Sequence, residues 1–438
     1  MCSRSRDTVY VGPVEIAGQY GAIVDALATQ GVRCDLHLRF DHPFGYSTEL
    51  VDQGWVLRTY RRIIAFRESH DLPRVPHRIL LEATRRLLWS IHAVTSILRY
   101  RTFVFAFAMT FAPEGRDLPV LRLLGKRVVV VAANGSEARP PYVDDFHRGF
   151  TSAEVSRSVR RKRRTLARIE RWADVVIGAP LSSSQFLSRS FVNYFAMGMP
   201  CRPITLPADT VPDDKVDPRT VRVLHAPSNP RGKGTEHIRK VVESLIGDGL
   251  VIEYSEITDQ PNEVVLARLA ETDIVIDQLY SDTPMATLAA EAAALGKPTV
   301  VGGYGWDVLR PWVPNGMWPP SELCRAETVR DALERLVADP VYRRSLGGRA
   351  KDFVTTRWSL HEVGERWRRV LEGTYPEDWL VDPMAIVYTN GSLLNDADAR
   401  ARVRALINDC GVQALGLSHN PRLEVAFVAF AKAASPPL

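Results

Sequence analysis

Two textures alternate along the chain: short apolar runs rich in valine and isoleucine, and stretches whose apolar positions recur every three to four residues. In the first half the runs at 9–11, 33–38, 103–107, 127–132 and 174–177 predict strands. Between them, 18–29 (closed by Gly31) and 76–100 predict helices. A third helix spans 155–172, where Val155, Val159, Leu166, Ile169 and Trp172 share one stripe. After residue 220 the alternation starts again. Strands are expected at 221–225, 251–256, 274–278 and 298–302, and helices at 236–245, 262–271 and 283–295. Helical spacing returns at Val363, Trp367, Val370 and Leu371. Strands that alternate with helices predict parallel sheets covered on both faces.

Between 197 and 220 the pattern lapses. Pro200, Pro203, Pro207, Pro212 and Pro218 lie among Asp209, Asp213, Asp214 and Asp217, a linker composition. The expected fold class is therefore α/β: two Rossmann-like domains, 1–205 and 206–375, facing across a cleft. A C-terminal α/β appendage follows at 376–438, with strands expected at 385–388 and 425–430 around a helix at 396–410. In open sheets of this kind ligands bind outside the carboxyl ends of the strands, so the chemistry is expected in the cleft.

Composition changes this picture only in places. A chain of 438 residues exceeds one ordinary domain, and 45% hydrophobic residues suffice for large cores. The most apolar window, 87–111, is interrupted by His92, Arg99 and Arg101 and predicts no membrane span. The polar start, 1–10, lacks the apolar region of a secretory signal, and the five cysteines show no CxxC spacing. A cytoplasmic location is the expectation, with no disulfide framework and no zinc site. The net charge of +5 is concentrated: Arg157, Arg160, Arg161, Lys162, Arg163, Arg164, Arg168 and Arg171 fall in one segment. That segment is a solvated helix face, or a 157–171 patch for peripheral contact with anionic headgroups at the inner membrane face. No aromatic residues interleave the cations as a stacking surface for nucleic acid would need.

Candidate chemistry centres on 277–303, DQLYSDTPMATLAAEAAALGKPTVVGG. Asp282 or Thr283 can cap a helix with Pro284 in its first turn, and Gly296 stops it ahead of Lys297. The free amides of such an N-terminus suit a diphosphate. Glu291, about two turns in, suits a ribose diol, because a carboxylate accepts hydrogen bonds from two neighbouring hydroxyls. An alanine-rich core helix would more simply carry an apolar residue there.

This segment resembles the signature of the retaining GT-B glycosyltransferases of the family 4-like group, E-P-F-G-x-x-x-x-E-A-x-A-x-G-x-P-V-V. The matching residues are Thr283, Pro284, Met285 and Ala286, then Glu291, Ala292, Ala294, Gly296, Pro298, Thr299 and Val300. The resemblance implies that Glu291 binds the donor ribose and that 283–286 meet the donor. Thr283 replaces the family's first glutamate, and Asp282 is the nearest carboxylate to substitute for it. Within 221–236, VRVLHAPSNPRGKGTE, Arg231 and Lys233 resemble the cations that neutralise the leaving diphosphate. His225 reads as a packed strand-end histidine.

In the N-terminal half the loop carrying Gly12, Gly18 and Gln19 resembles the family's glycine loop facing donor and acceptor; it is not a GxGxxG fingerprint. Asn134 stands where the family often has histidine, and Arg139, Asp144 and Asp145 are acceptor-side candidates. The 302–306 turn, with Tyr304 and Trp306, either holds a base or sugar or is a packed turn. The implied reaction moves a sugar from a nucleotide-diphosphate sugar to a hydroxyl acceptor, with retention. No metal and no further cofactor are expected, since no DxD-like motif follows a strand in the second half. A nucleotide-sugar epimerase of the same fold and a non-catalytic sugar-nucleotide binder are the alternatives.

Overall fold

The computed structural model describes residues 8–40, 54–69, 75–205 and 219–433. The extreme N-terminus and the middle of the expected linker, 206–218, lie outside the described residues. Six strands open the first sheet: β1 (Val9–Gly12), β2 (Cys34–Leu36), β3 (Thr102–Phe105), β4 (Arg127–Ala132), β5 (Val175–Gly178) and β6 (Phe191–Asn193). Five more form a second, all-parallel sheet: β7 (Val221–His225), β8 (Ile252–Glu256), β9 (Ile274–Ser281), β10 (Thr299–Gly303) and β11 (Glu322–Cys324), in the order β11-β10-β9-β7-β8. A last strand, β12 (Leu380–Val381), returns to the first sheet antiparallel to β6, giving β12-β6-β5-β4-β3-β1-β2. The molecule is thus an α/β protein of two Rossmann-like sheets.

The run 127–132 is apolar at every second position on both faces because both faces are covered. Val128 and Val130 join Tyr10, Phe103 and Phe105 in one core, while Val129 and Val131 join Val9, Val11 and Val104 in the other. The second core also takes Val363, Trp367 and Val370 from the helix Leu360–Glu372. This helix follows the second sheet in sequence yet packs on the helix Gln19–Thr29 of the first, so the chain crosses back before its end.

Several expectations are corrected. The tail is helical rather than strand–helix–strand: of 385–388, Ala385 ends the 3-10 turn Pro383–Ala385 and the rest are irregular, and 425–430 lie inside the helix Pro421–Lys432. Asn420 caps that helix, Pro421 sits in its first turn, and Leu423, Phe427 and Phe430 are buried at helical spacing, which outweighs the short apolar run. Nor is the tail a separate appendage. The helix Asp396–Cys410 packs against Ser152–Trp172, and β12 extends the first sheet. The helix Trp55–Ser69 carried no prediction because its arginines mask its apolar spacing. The basic helix starts at Ser152, where Thr151 and Glu154 form a reciprocal capping box. Three of its cations turn inward: Lys162 donates to the carbonyls of Ser136 and Arg139, Arg163 to that of Phe186, and Arg168 to that of Glu114.

The crossing helix supplies a test. Replacing Gly364 with alanine would stabilise an isolated helix by about 1 kcal/mol. Here the added Cβ would stand 2.1 Å from the backbone oxygen of Ala26, which cannot move without its whole helix. We expect Gly364→Ala to lower stability by roughly 1–3 kcal/mol in denaturant unfolding; an increase would mean that the two helices do not meet as closely.

Candidate functional site

A cavity of about 400 Å³ lies between the carboxyl ends of the two sheets. Ile16, Ala17, Asn134, Arg139 and Ala179 line it from the first sheet's loops, and Ala226, Lys233, Asn262, Asp277, Asp282 and Glu291 from the second's. Each wall is a strand end followed by a loop, the position that open parallel sheets leave free for ligands.

Glu291 sits on the helix Thr287–Ala294 with its carboxylate facing the cavity, where it accepts a hydrogen bond from Asn262 Nδ2 (2.9 Å). Desolvation by the surrounding walls pushes its pKa up to about 7; the charge of Asp277 adds to this, while Asn262 and Lys233 oppose it. Lys233 also lines the cavity and pairs with the fully buried Asp277 (Nζ to Oδ1, 2.8 Å). The other oxygen of Asp277 is buried without a partner. The site therefore holds a fixed cation, a carboxylate that resists ionisation and a spare acceptor within one small enclosure.

The helix carrying Glu291 begins at Thr287, four residues later than its sequence signature predicts. Asp282 does not cap it, because both oxygens are engaged elsewhere: Oδ2 accepts from Arg139 Nη2 (2.6 Å) and Nε (3.0 Å), and Oδ1 from the Tyr388 hydroxyl (2.9 Å). The loop before the helix is instead tied locally, with Ser281 Oγ accepting from the Thr283 amide and donating to the Thr283 carbonyl. Thr283 and Ala286 reach the cavity wall, whereas Pro284 and Met285 are buried as packing. The first amides of the shorter helix still have no intrahelical carbonyl to bond, and Ala286, Thr287 and Leu288 open on the cavity.

Arg231 is not brought to this site. Pro230–Lys233 forms a single helical turn, on which residues two apart lie roughly 200° from each other. Lys233 therefore faces the cavity, and Arg231 faces a separate groove with Arg148, His237 and Asp398. His225 is fully buried between the Ile276 carbonyl and Thr235 Oγ1, and burial lowers its pKa to about 4, so it is a packed neutral histidine.

In the N-terminal loop, Gly12 lets the chain pass the carbonyl of His37, since a Cβ there would lie 2.2 Å from that oxygen. Gly18 takes a left-handed conformation (φ 75°) at the start of the first helix. The amides of Ile16, Tyr20 and Gly21 all donate to the carboxylate of Glu15, so this helix start carries its own anion. Gln19 bridges the two halves: Nε2 donates to Thr287 Oγ1 (3.3 Å), and Oε1 accepts from Asn134 Nδ2 (3.0 Å). Tyr304 stacks on Tyr280 and Trp306 donates to the Cys324 carbonyl, which leaves the 302–306 turn packed.

Other site residues had weaker sequence signals or none. Asp277, a carboxylate inside an apolar strand run, was legible as an anomaly; Asn262 in a polar loop was not. Ser392 and Leu393 from the tail also line the cavity, held by hydrogen bonds to the Tyr280 carbonyl.

A second cavity, about 950 Å³, opens on the first sheet's side. Tyr60, Trp89, Phe107, Met109 and Phe111 give it an apolar lining. Phe107 and Ala108 are non-glycine residues with left-handed φ (56° and 50°), a strained turn directly after β3. Arg39 lies over the Trp89 ring at 4.9 Å and donates to Tyr60. Glu137 belongs to the same lining; one oxygen accepts from the Asn134 amide (2.6 Å) and the other is buried without a partner. Desolvation pushes Glu137 up to about 7. The 134–137 loop is thus the wall between the two cavities.

No family model matches the chain, and no curated protein matches it in sequence. Solved structures align with it at low similarity. HepE (Alr3699) of Anabaena in complex with UDP and glucose aligns with a TM-score of 0.47 at 11% identity, over 84% of this chain and 99% of that one. MnaA of S. aureus with UDP gives 0.42 at 12%, over 84% and 98%. The glycosyltransferase SnogD of Streptomyces nogalater gives 0.42 at 12%, over 84% and 99%. The fold and the chemistry of the site rest on this chain's own elements and residues.

Proposed function

We propose that the protein transfers a sugar from a nucleotide-diphosphate sugar to a hydroxyl acceptor. The observation that carries this reading is the enclosure of Glu291, Lys233 and the start of the helix Thr287–Ala294 in one cavity between the two sheets. In this reading the Glu291 carboxylate accepts from the ribose hydroxyls. The diphosphate lies between the free amides at Ala286–Leu288 and the Lys233 ammonium, which stabilise the charge that grows on it. Asp282 ties the walls of the cavity together through Arg139 and Tyr388 rather than meeting the sugar.

In this reading the larger cavity is the acceptor chamber, and Glu137 is part of its wall. The acceptor oxygen attacks the anomeric carbon as the bond from that carbon to the diphosphate breaks. The acceptor's proton passes to the leaving phosphate, and nucleoside diphosphate departs. Support for retention is the family 4-like pattern at 283–300. Support for a reaction without metal is that Lys233 and the helix amides supply positive charge where the diphosphate would lie. Peripheral membrane contact through 157–171 has only its outward arginines left to support it, since Lys162, Arg163 and Arg168 are used internally.

Purified protein screened against UDP-, GDP-, dTDP- and ADP-sugars should be thermally stabilised by one donor class. Glu291→Ala and Lys233→Ala should each weaken that donor by roughly tenfold or more, while Arg231→Ala should leave it within about twofold. Equal binding by Glu291→Ala would overturn the reading. Slow release of the nucleoside diphosphate, followed in the same samples, separates an enzyme from a mere binder.

A pH series tests the state of Glu291. Ribose hydroxyls favour the ionised carboxylate, so donor affinity should fall as pH drops below about 7, by at most about tenfold per unit. Without ligand the sign reverses. A carboxyl whose folded pKa is raised contributes stability below its unfolded value of 4.5 and loses it as pH rises through about 7. Glu291→Gln should therefore flatten the affinity profile and melt higher than wild type at pH 8 but not at pH 4. An unchanged affinity slope in the variant would assign the titration to another group.

A further inference from the structure

We propose that the helix pair Trp55–Ser69 and Val75–Arg99 is a docking surface for an anionic lipid bilayer. This element faces the basic helix Ser152–Trp172 across the larger cavity, with Arg86 and Ser90 on one side and Ser158 and Arg161 on the other. The proposal uses none of the donor-site chemistry, so it stands or falls separately from the reading of that site.

The longer helix leaves an apolar stripe in solvent. Leu80, Leu87, Val94 and Leu98 recur at spacings of seven, seven and four, on one side of five helical turns, and each is more than half exposed. Ile79 beside them, and Trp55 and Phe66 on the shorter helix, are also exposed. The inner faces are already used: Leu57, Tyr60, Leu88 and Trp89 are buried in the core beneath the first sheet. The long helix therefore carries apolar residues on both faces, and its outer row of Leu80, Leu87, Val94 and Leu98 stays exposed. An apolar row that stays exposed along five helical turns marks an interaction surface.

Charge chooses the occupant. The two helices hold eight arginines against two glutamates, more positive charge than the net +5 of the whole chain. Glu82 is consumed by Arg67, Arg85 and Arg86. Arg58 and Arg62 are exposed. A second copy docked face to face would set one arginine-rich surface against another, which disfavours self-association. An anionic bilayer meets both features at once, as headgroups attract the guanidinium groups and the interface takes up leucine, phenylalanine and tryptophan. Position agrees: Arg86 and Ser90, on the margin of the stripe, also line the mouth of the larger cavity. An amphiphile held in the bilayer would enter that cavity without crossing water.

The test is co-sedimentation of the full chain with vesicles of phosphatidylcholine alone or mixed with phosphatidylglycerol. Wild type should bind the mixed vesicles, fail on phosphatidylcholine alone, and lose binding as salt rises. Leu87→Glu/Leu98→Glu and, separately, Arg58→Gln/Arg62→Gln should each weaken binding by roughly tenfold or more. All four residues are exposed, so thermal unfolding should match wild type, which separates lost docking from lost folding. Arg160→Gln/Arg164→Gln on the basic helix should bind like wild type. Absence of binding to mixed vesicles, or binding insensitive to the first two variants, overturns the proposal. So does light scattering that shows a wild-type dimer dissociated by Leu87→Glu/Leu98→Glu, which would assign the stripe to a second copy.

Discussion

The buried ion pair between Arg139 and Asp282, closed by the Tyr388 hydroxyl, is the interaction on which the arrangement of this molecule turns. Its members come from the loop after β4, the loop after β9 and the tail, three parts of the chain with no local reason to meet. Arg139 and Asp282 are both almost fully buried. In such surroundings removing one partner leaves an uncompensated charge, which costs far more than the pair contributes net. The two sheets are therefore held face to face by a contact that tolerates little misalignment. The bridge from Gln19 to Thr287 and the seating of Leu393 on the Tyr280 carbonyl belong to the same junction. The small cavity exists because these contacts keep two strand-end surfaces a fixed distance apart.

In the walls of the two cavities the electrostatics follow from desolvation. Glu291 and Glu137 are walled by protein, so each carboxyl resists ionisation, whereas Asp277 is paired with Lys233 and Asp282 with Arg139. Orphan oxygens on Asp277 and Glu137 and a helix start without capping side chains are costs to an empty protein. The free amides of that helix start are the group among them that a phosphate, as in the proposed donor, would satisfy. Unsatisfied groups in the walls of two neighbouring cavities, in a fold otherwise consistent with its sequence, are the pattern expected where function outweighs stability.

The tail and the basic helix show how a surface feature becomes structure. Lys162, read alone, is one cation in a solvated row; in the fold it anchors the carbonyls of Ser136 and Arg139 and so braces the wall between the cavities. Burial lowers its pKa to about 8, with the nearby carboxylates of Asp144 and Glu137 opposing the shift. The helices Asp396–Cys410 and Pro421–Lys432 cover this region, and Arg402 reaches the carbonyls of Pro141 and Asp144. The chain thus ends by bracing the loops that shape the site.

Periodicity and punctuation alone determined most of the elements: the valine runs of β4, the alternation after residue 220, and the glycine stop at Gly296 are local signals that short-range sterics enforce. The isolated carboxylate among alanines, Glu291, and the lysine before a glycine, Lys233, were legible because their chemistry contradicts a plain packing role, and the fold places both on one cavity. What the sequence left open depends on partners distant along the chain. A helical turn at 230–233 turns Arg231 away from Lys233, although the two look equivalent in the sequence. Asp282 could cap a helix until Arg139 and Tyr388 arrive from 143 and 106 residues away and engage both its oxygens. The run 425–430 suits strand or helix until a cap and a core on one side decide it. Local pattern determines which element forms; which neighbour each polar side chain meets is a long-range choice, and only the assembled tertiary structure makes it.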